Sequence, residues 1–529
     1  MAPDNSNPLE APTPGLSAVH RPPRTEGPRV PSLSAITAQS METSTAMREL
    51  LFLPAHRLAA LVRSREVSAR ELLGAHLAQV ARHNPRLNAL VTLDEERARA
   101  RALAADEALA RGESWGALHG VPITIKDSFN TAGVRTTSGY KRLRDHIPTH
   151  DATVVARLKA AGAILVGKTN LPTLTLDLQT NGHLFGRASN PWDEQRTPGG
   201  STGGGAAAVA AGMCALEVGS DLAGSIRVPS HYCGIFGLKP TEHRVPISGH
   251  IPPLPGQARG VRYEGAAGPL ARSVEDLKLG LKLLAGPDDE DFDVAPVPVR
   301  DVAPREPRAY RVAWTDDFGG LPVTQQTRAA LASVARTLEG LGCRVERCAP
   351  RLDFDEVWEV WGRVLGAELG AEMPALTRFL FSVRFRAMQG DSALNRGIVR
   401  GVQSQMADYI DALAVRDRIT GQVESFLTDW DAWLCPVTVG PAFTHRRGGQ
   451  WLEVDGQQVA YMSGTCGFTA PFNLTGHPVV VLPLTRGVDP ALPLGLQVVG
   501  RRWLDEELLA FCQLLSHEVT GSFRPPPGY

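Results

Sequence analysis

Between Thr197 and Pro229 the chain reads TPGGSTGGGAAAVAAGMCALEVGSDLAGSIRVP, and no other stretch restricts the fold as much. Two serines, Ser201 and Ser225, stand 24 positions apart, each wrapped in glycine. Glycine lets a backbone approach another chain closely and opens dihedrals closed to other residues. An Ala-rich segment and an apolar run lie between the serines and read as one helix and one strand. That compact unit can deliver both serines to one place. A hydrolytic site assembled from the two loops is expected, with Lys126 as its third member.

The remaining composition narrows the partners. With 55 basic against 56 acidic residues the formal net charge is -1, which argues against a nucleic acid or an anionic membrane reached by bulk electrostatics. Seven cysteines are odd in number and scattered, with no CxxC or zinc spacing, so free thiols in a reducing compartment are expected. No apolar run approaches the roughly 18 residues of a spanning helix. The basic start, apolar run and small-residue cleavage site of a secretory signal are missing. A cytoplasmic protein with no membrane span is the expectation.

Residues 1–46 are rich in Pro, Ser, Thr and Ala and lack apolar periodicity, so they read as a disordered N-terminal tail. Met41 and Met47 are alternative starts. Residues 47–525 are expected to form a single catalytic domain. Ser68 to Glu71 fits a capping box opening a helix with Leu72, Leu73, Leu77 and Val80 on one side. Strands are expected at 121–126, 163–167 and 214–219, with helices between them. Such alternation implies an α/β fold: a large mixed, mostly parallel central sheet covered by helices on both sides. Sites in that architecture belong at strand carboxyl ends, where Lys126 and the Ser225 loop both fall. Residues 286–308 are acidic, Pro-rich and aperiodic, and read as a connection between two lobes. The run from Leu376 to Asn395 gives no clear assignment.

Each chemical candidate has an ordinary structural reading beside it. A loop of small residues after a strand, as at 219–225, can turn several N–H groups toward one point and hold an oxyanion. The same serine could equally be a turn residue or an N-cap. Ser201 fails as a phosphate cradle, because no Lys-Ser/Thr follows its glycines. It matches G-x-S-x-G literally, which would make it the nucleophile of an α/β-hydrolase-like esterase. That motif requires a strand directly before the serine, whereas 190–198 is polar with two prolines. The remaining reading makes Ser201 a partner to Ser225.

Lys126 closes the apolar run Val121–Ile125. A lysine at a strand end ordinarily snorkels to water. Desolvated there, its pKa could fall by about three units from about 10.4, at a cost of about 4 kcal/mol, and the neutral amine could act as a base. His231, six residues after Ser225, reads as a core residue, and the thiols read as packing residues.

The string GGSTGGGAAAVAAG, followed by GSDLAGSIRVPS and GLKPT, resembles the amidase signature family. Upstream GVPITIKD, with KTNLP and FGRASNPW between, and downstream PFNLTGHPVVVLP and GLQVVGRRWLDE extend the likeness over nearly all of residues 50–520. The resemblance implies that Ser225 is the acyl-accepting nucleophile and Ser201 the bridging serine after a cis Gly200–Ser201 peptide. Lys126 is then the base. It implies an oxyanion hole from the N–H groups of Leu222, Ala223, Gly224 and Ser225, with Thr202, Asp221 and Arg227 in support. No cofactor and no metal enter this chemistry, the substrate is a small-molecule amide, and a homodimer is the assembly state suggested by analogy.

The chain departs from the family pattern in three places. Thr202 follows the bridging serine where a second serine is usual, and a hydroxyl is kept. Ala223 stands where glycine is typical and adds a methyl beside the scissile carbonyl. Glu242-His243-Arg244 after GLKPT replaces the usual turn, against a glutaminase subunit of a tRNA amidotransferase. Three functions therefore remain open: an amidohydrolase that could also take anilides, esters or carbamates; a glutaminase-type subunit of an amidotransferase complex; and an esterase using Ser201.

Overall fold

Short runs of Val, Ile and Leu, bounded by glycine or proline, supply the strands of one large sheet. The computed structural model describes residues 48–371, 373–484 and 492–529, and the tail expected at 1–46 lies outside them. From Glu49 onward the chain forms one compact unit. Eleven strands make the main sheet: β1 (Leu90–Leu93), β2 (Pro122–Lys126), β3 (Ile164–Thr169), β4 (Leu216–Asp221), β5 (Phe236–Lys239) and β6 (Ala266–Ala271), then β7 (Arg311–Trp314), β8 (Arg344–Arg347), β9 (Ala432–Pro436), β10 (Val479–Leu484) and β11 (Leu494–Val499). Their spatial order is β1-β3-β2-β4-β6-β5-β10-β11-β9-β7-β8.

The sheet is mixed, as expected. Parallel pairing is confined to β3-β2-β4 and β9-β7-β8, and every other pair is antiparallel. The parallel share is therefore smaller than the α/β alternation suggested. Ala266–Ala271 (AAGPLA) enters the middle of the sheet with a proline and a glycine, although those residues disfavour central strands. Packing overrides propensity there.

Strand alternation feeds two cores. Val312, Leu434, Val480 and Val498 join one apolar cluster. Their sequence neighbours Ala313, Trp433, Val479 and Val499 join the other, beside Phe318, Phe354 and Phe472.

The helices around the site follow from local signals. Helix α1 (Ala69–Leu87) opens on the expected capping box, with Ser68 Oγ accepting from Glu71 N–H at 3.1 Å and Glu71 Oε2 accepting from Ser68 N–H at 2.9 Å. Helix α2 (Gly203–Ala210) is buried along its whole length. Its glycines are required by close approach: a Cβ on Gly204 would lie 2.5 Å from Asn170 N, and one on Gly205 would lie 2.5 Å from the Glu217 carboxyl. Helix α3 (Arg227–Cys233) follows the Ser225 loop directly.

A helical layer, α4 (Phe354–Gly370), α5 (Ala375–Gln389), α6 (Ala393–Gln403) and α7 (Met406–Leu427), covers the second core. It resolves the unassigned run at 376–395 into two helices. The chain from 286 to 306 holds no regular element, and one 3-10 turn at Pro307–Ala309 precedes β7. Among the described residues no helix is long and apolar enough to cross a membrane.

Candidate active site

Because β2 and β4 are parallel neighbours, with Ile125 opposite Val218, their carboxyl ends lie side by side. Lys126 ends the first and Ser220-Asp221 ends the second. The Lys126 Nζ atom is 2.7 Å from Ser201 Oγ, donates to Ser220 Oγ at 2.9 Å, and lies 3.3 Å from the Ser220 carbonyl. The lysine is fully buried. Burial pulls its amine down to about 7, against the opposing pull of Asp221 and Glu217. The Gly200–Ser201 peptide is cis.

Ser225 reaches this pair through the backbone. Thr202 N–H donates to the Ser225 carbonyl at 3.2 Å, tying the two serine loops together. No hydrogen bond between the Ser201 and Ser225 hydroxyls forms among the described residues. Ser225 instead borders two cavities at once. One, of 590 Å³, is lined by Ser201, Ser220, His250, Arg142 and Glu368 among others. The other, of 550 Å³, is largely apolar, with Leu178, Trp361, Leu365, Phe381, Phe385 and Ile398 on its wall.

A buried ion pair holds the loop between Asp221 and Ser225. Arg227 Nη2 donates to Asp221 Oδ1 at 2.9 Å and Arg227 Nε to Oδ2 at 3.1 Å, both side chains being inaccessible to solvent. Burial alone would raise the Asp221 carboxyl, but the guanidinium and the donors around it hold it well below the usual carboxylate range. Arg227 also donates to the Thr469 carbonyl at 2.9 Å and to Gln497 Oε1 at 3.0 Å. Asn473 Nδ2 adds a bond to Asp221 Oδ1 at 2.9 Å.

This arrangement corrects the expected oxyanion hole. Gly224 N–H is already engaged, donating to Asp221 Oδ1 at 2.8 Å. The reason is geometric: Gly224 sits at φ +116°, open to glycine alone, and the loop curls back over the carboxylate. The carbonyls of Leu222 and Ala223 are turned the other way, accepting from Trp361 Nε1 at 3.4 Å and Thr469 Oγ1 at 2.6 Å. The amides of Leu222, Ala223 and Ser225 remain as candidate donors.

The esterase reading of Ser201 loses its geometric basis. Residues 190–198 form only isolated bridges, Asn190 with Asp193 and Arg196 with Thr444, and no strand precedes the serine. His231 is a satisfied core residue: Nε2–H donates to the Gly440 carbonyl at 3.0 Å and Nδ1 accepts from Gly495 N–H at 2.6 Å. All seven cysteines are unpaired.

Three residues near the site carried no sequence signal of their own role. Glu217 lies under Lys126, accepts from Thr169 Oγ1 at 2.7 Å, and is pushed by burial up to about 7. Ser220 was inside the motif but looked like a spacer. His250 sits in a Pro-rich stretch without periodicity, and its Nε2 is 2.9 Å from Ser220 Oγ.

These features define a buried lysine–serine site fed by two glycine loops. The family described as Amidase matches residues 71–509, and the chain belongs to this amidase signature family. The glutamine-dependent relative found in Moorella thermoacetica, a glutamyl-tRNA(Gln) amidotransferase component, is 34% identical over 481 residues, covering 87% of this chain and 95% of that protein. Among solved structures, a bacterial aryl acylamidase of the same family aligns with a TM-score of 0.75 at 25% identity, covering 89% of this chain and 96% of that one. The 6-aminohexanoate cyclic dimer hydrolase, solved with substrate, aligns at 0.74 and 27% identity, covering 90% and 99%.

Proposed function

We propose that this chain is an amidohydrolase that cleaves a carboxylic amide through an acyl-enzyme on Ser225. The observation that carries the reading is the fully buried Lys126 amine, drawn down to about 7 and 2.7 Å from Ser201 Oγ. At neutral pH a substantial fraction of that amine is uncharged and can accept a proton. Lys126 takes the proton of Ser201, Ser201 takes that of Ser225, and the Ser225 oxygen attacks the amide carbon. The amides of Leu222, Ala223 and Ser225 receive the developing oxyanion. The proton returns through Ser201 to the leaving nitrogen, and water then clears the acyl-enzyme. Anilides, esters and carbamates can share the acyl step.

The two cavities on either side of Ser225 favour a substrate with a bulky apolar or aromatic group on one side of the scissile bond. A panel of primary amides, anilides, acyl amides of graded length, esters and carbamates tests this. Turnover of none of them by the purified chain would defeat the reading.

A second reading, a glutaminase-type subunit of an amidotransferase, is favoured by the 34% identity to the Moorella protein over nearly its full length. It predicts glutamine hydrolysis only with partner proteins bound. Hydrolysis by the isolated chain separates the two.

A further inference from the structure

We infer that His250 is a positioning residue that fixes which way the hydrogen bonds run around Lys126, leaving the amine lone pair free for Ser201. The inference rests on the reading of Lys126 as the base.

The argument starts from an acceptor that cannot be a donor. His250 Nδ1 lies 3.1 Å from the Pro252 carbonyl, so the ring proton must sit on Nδ1. Nε2 of the neutral ring is then an acceptor. Ser220 Oγ, 2.9 Å away, has to give it the hydroxyl proton. With that proton spent, Ser220 Oγ meets Lys126 Nζ at 2.9 Å only as an acceptor, and the Ser220 carbonyl at 3.3 Å can only accept as well. A neutral amine has two N–H bonds and one lone pair. Both N–H bonds point at Ser220, and the lone pair is left for the Ser201 hydroxyl at 2.7 Å.

Reverse the Ser220 hydroxyl and the same atoms inhibit: its proton would occupy the lone pair that Ser201 needs. The ring is held for this task. Phe129 pairs with His250 through the backbone and meets its ring edge-on at 4.8 Å. The charged groups facing the ring are Lys126 and Arg259, and those facing the amine are Asp221 and Glu217. Burial and the two cations keep the imidazole neutral, at about 3.

The test uses a fluorophosphonate probe on the full chain, reading the rate of Ser225 modification from pH 5.5 to 9.5 without needing the natural substrate. His250→Phe keeps a ring against Phe129 but offers no acceptor. Its labelling rate should fall about tenfold on the high-pH plateau, because competition for the lone pair acts on the neutral amine. His250→Gln, whose carbonyl can take the Ser220 proton, should recover most of that loss. In a Ser220→Ala background, where no hydroxyl remains to be oriented, His250→Phe should add nothing. A plateau unchanged in His250→Phe, a limb merely displaced along the pH axis, or effects that multiply in the double variant would each overturn the inference. Should His250→Phe not fold, the His250→Gln and Ser220→Ala pair carries the same comparison. Absence of probe on Ser225 in the unaltered chain would instead remove the proposed nucleophile, a separate failure.

Discussion

The half of the site built from the glycine loops and the half built from α4–α7 obey opposite rules. Around β2, β4 and α2 the side chains are small or fully bonded, and Lys126, Ser201 and Arg227 are buried to within 1%. The helical layer instead presents large apolar groups. On α5, Phe381 and Phe385 line the apolar cavity, while Leu376, Phe379, Leu380 and Val383 face solvent. The contrast divides the labour. A relay of protons tolerates little movement, so its supports are rigid. A wall that only has to exclude water from an apolar group can vary its side chains without touching the relay.

Four changes test that division, the largest first. Ser225→Ala should lower hydrolysis of every substrate by at least about 10³-fold while the fold stays intact, checked by turnover and circular dichroism. A variant that still turns over one substrate class would place the chemistry elsewhere. Arg227→Met removes one partner of the buried pair and strands Asp221, at a cost of about 3–5 kcal/mol of unfolding free energy in a denaturant titration. An unchanged midpoint would mean that the loop is held by something other than this pair.

The pH response comes next. Because the folded Lys126 amine is lowered to about 7 and acts in its neutral form, kcat/KM should rise through pH 7 to a plateau and fall about tenfold for each unit below. A profile flat between pH 5.5 and 8.5 would remove the base from position 126. The smallest effect belongs to the helical layer. Phe385→Ala, which also takes away the Phe381 stacking at 5.4 Å, should change the ranking of apolar substrates by about tenfold or less and leave small amides alone. An equal loss on all substrates would show that the two halves are not separable.

Much of the first half could be read from the chain. Close packing of α2 on β3 and β4 demands glycine and alanine, so the demand is written in residue types, and the serines stand out against it. The strands expected at 121–126, 163–167 and 214–219 are β2, β3 and β4 within two residues. What could not be read depends on distant partners. Pro269 and Gly268 made β6 look like a loop, because only its neighbours β4 and β5 supply the pairing. Gly224 looked like an oxyanion donor until Asp221 claimed its amide. His250 meets Ser220 across 30 positions of chain, and nothing local to GHIPPLPG indicates that meeting. Residues 376–395 gave no period because α5 leaves apolar side chains on two sides.

Arg227 is anchored to Thr469, Asn473 and Gln497, at sequence separations of 242, 246 and 270 residues. The nucleophile loop therefore takes its working shape only when the last sixty or so residues have left the ribosome. A nascent chain carries Lys126, Ser201 and Ser225 long before it can use them, and it stays chemically silent until synthesis is almost over.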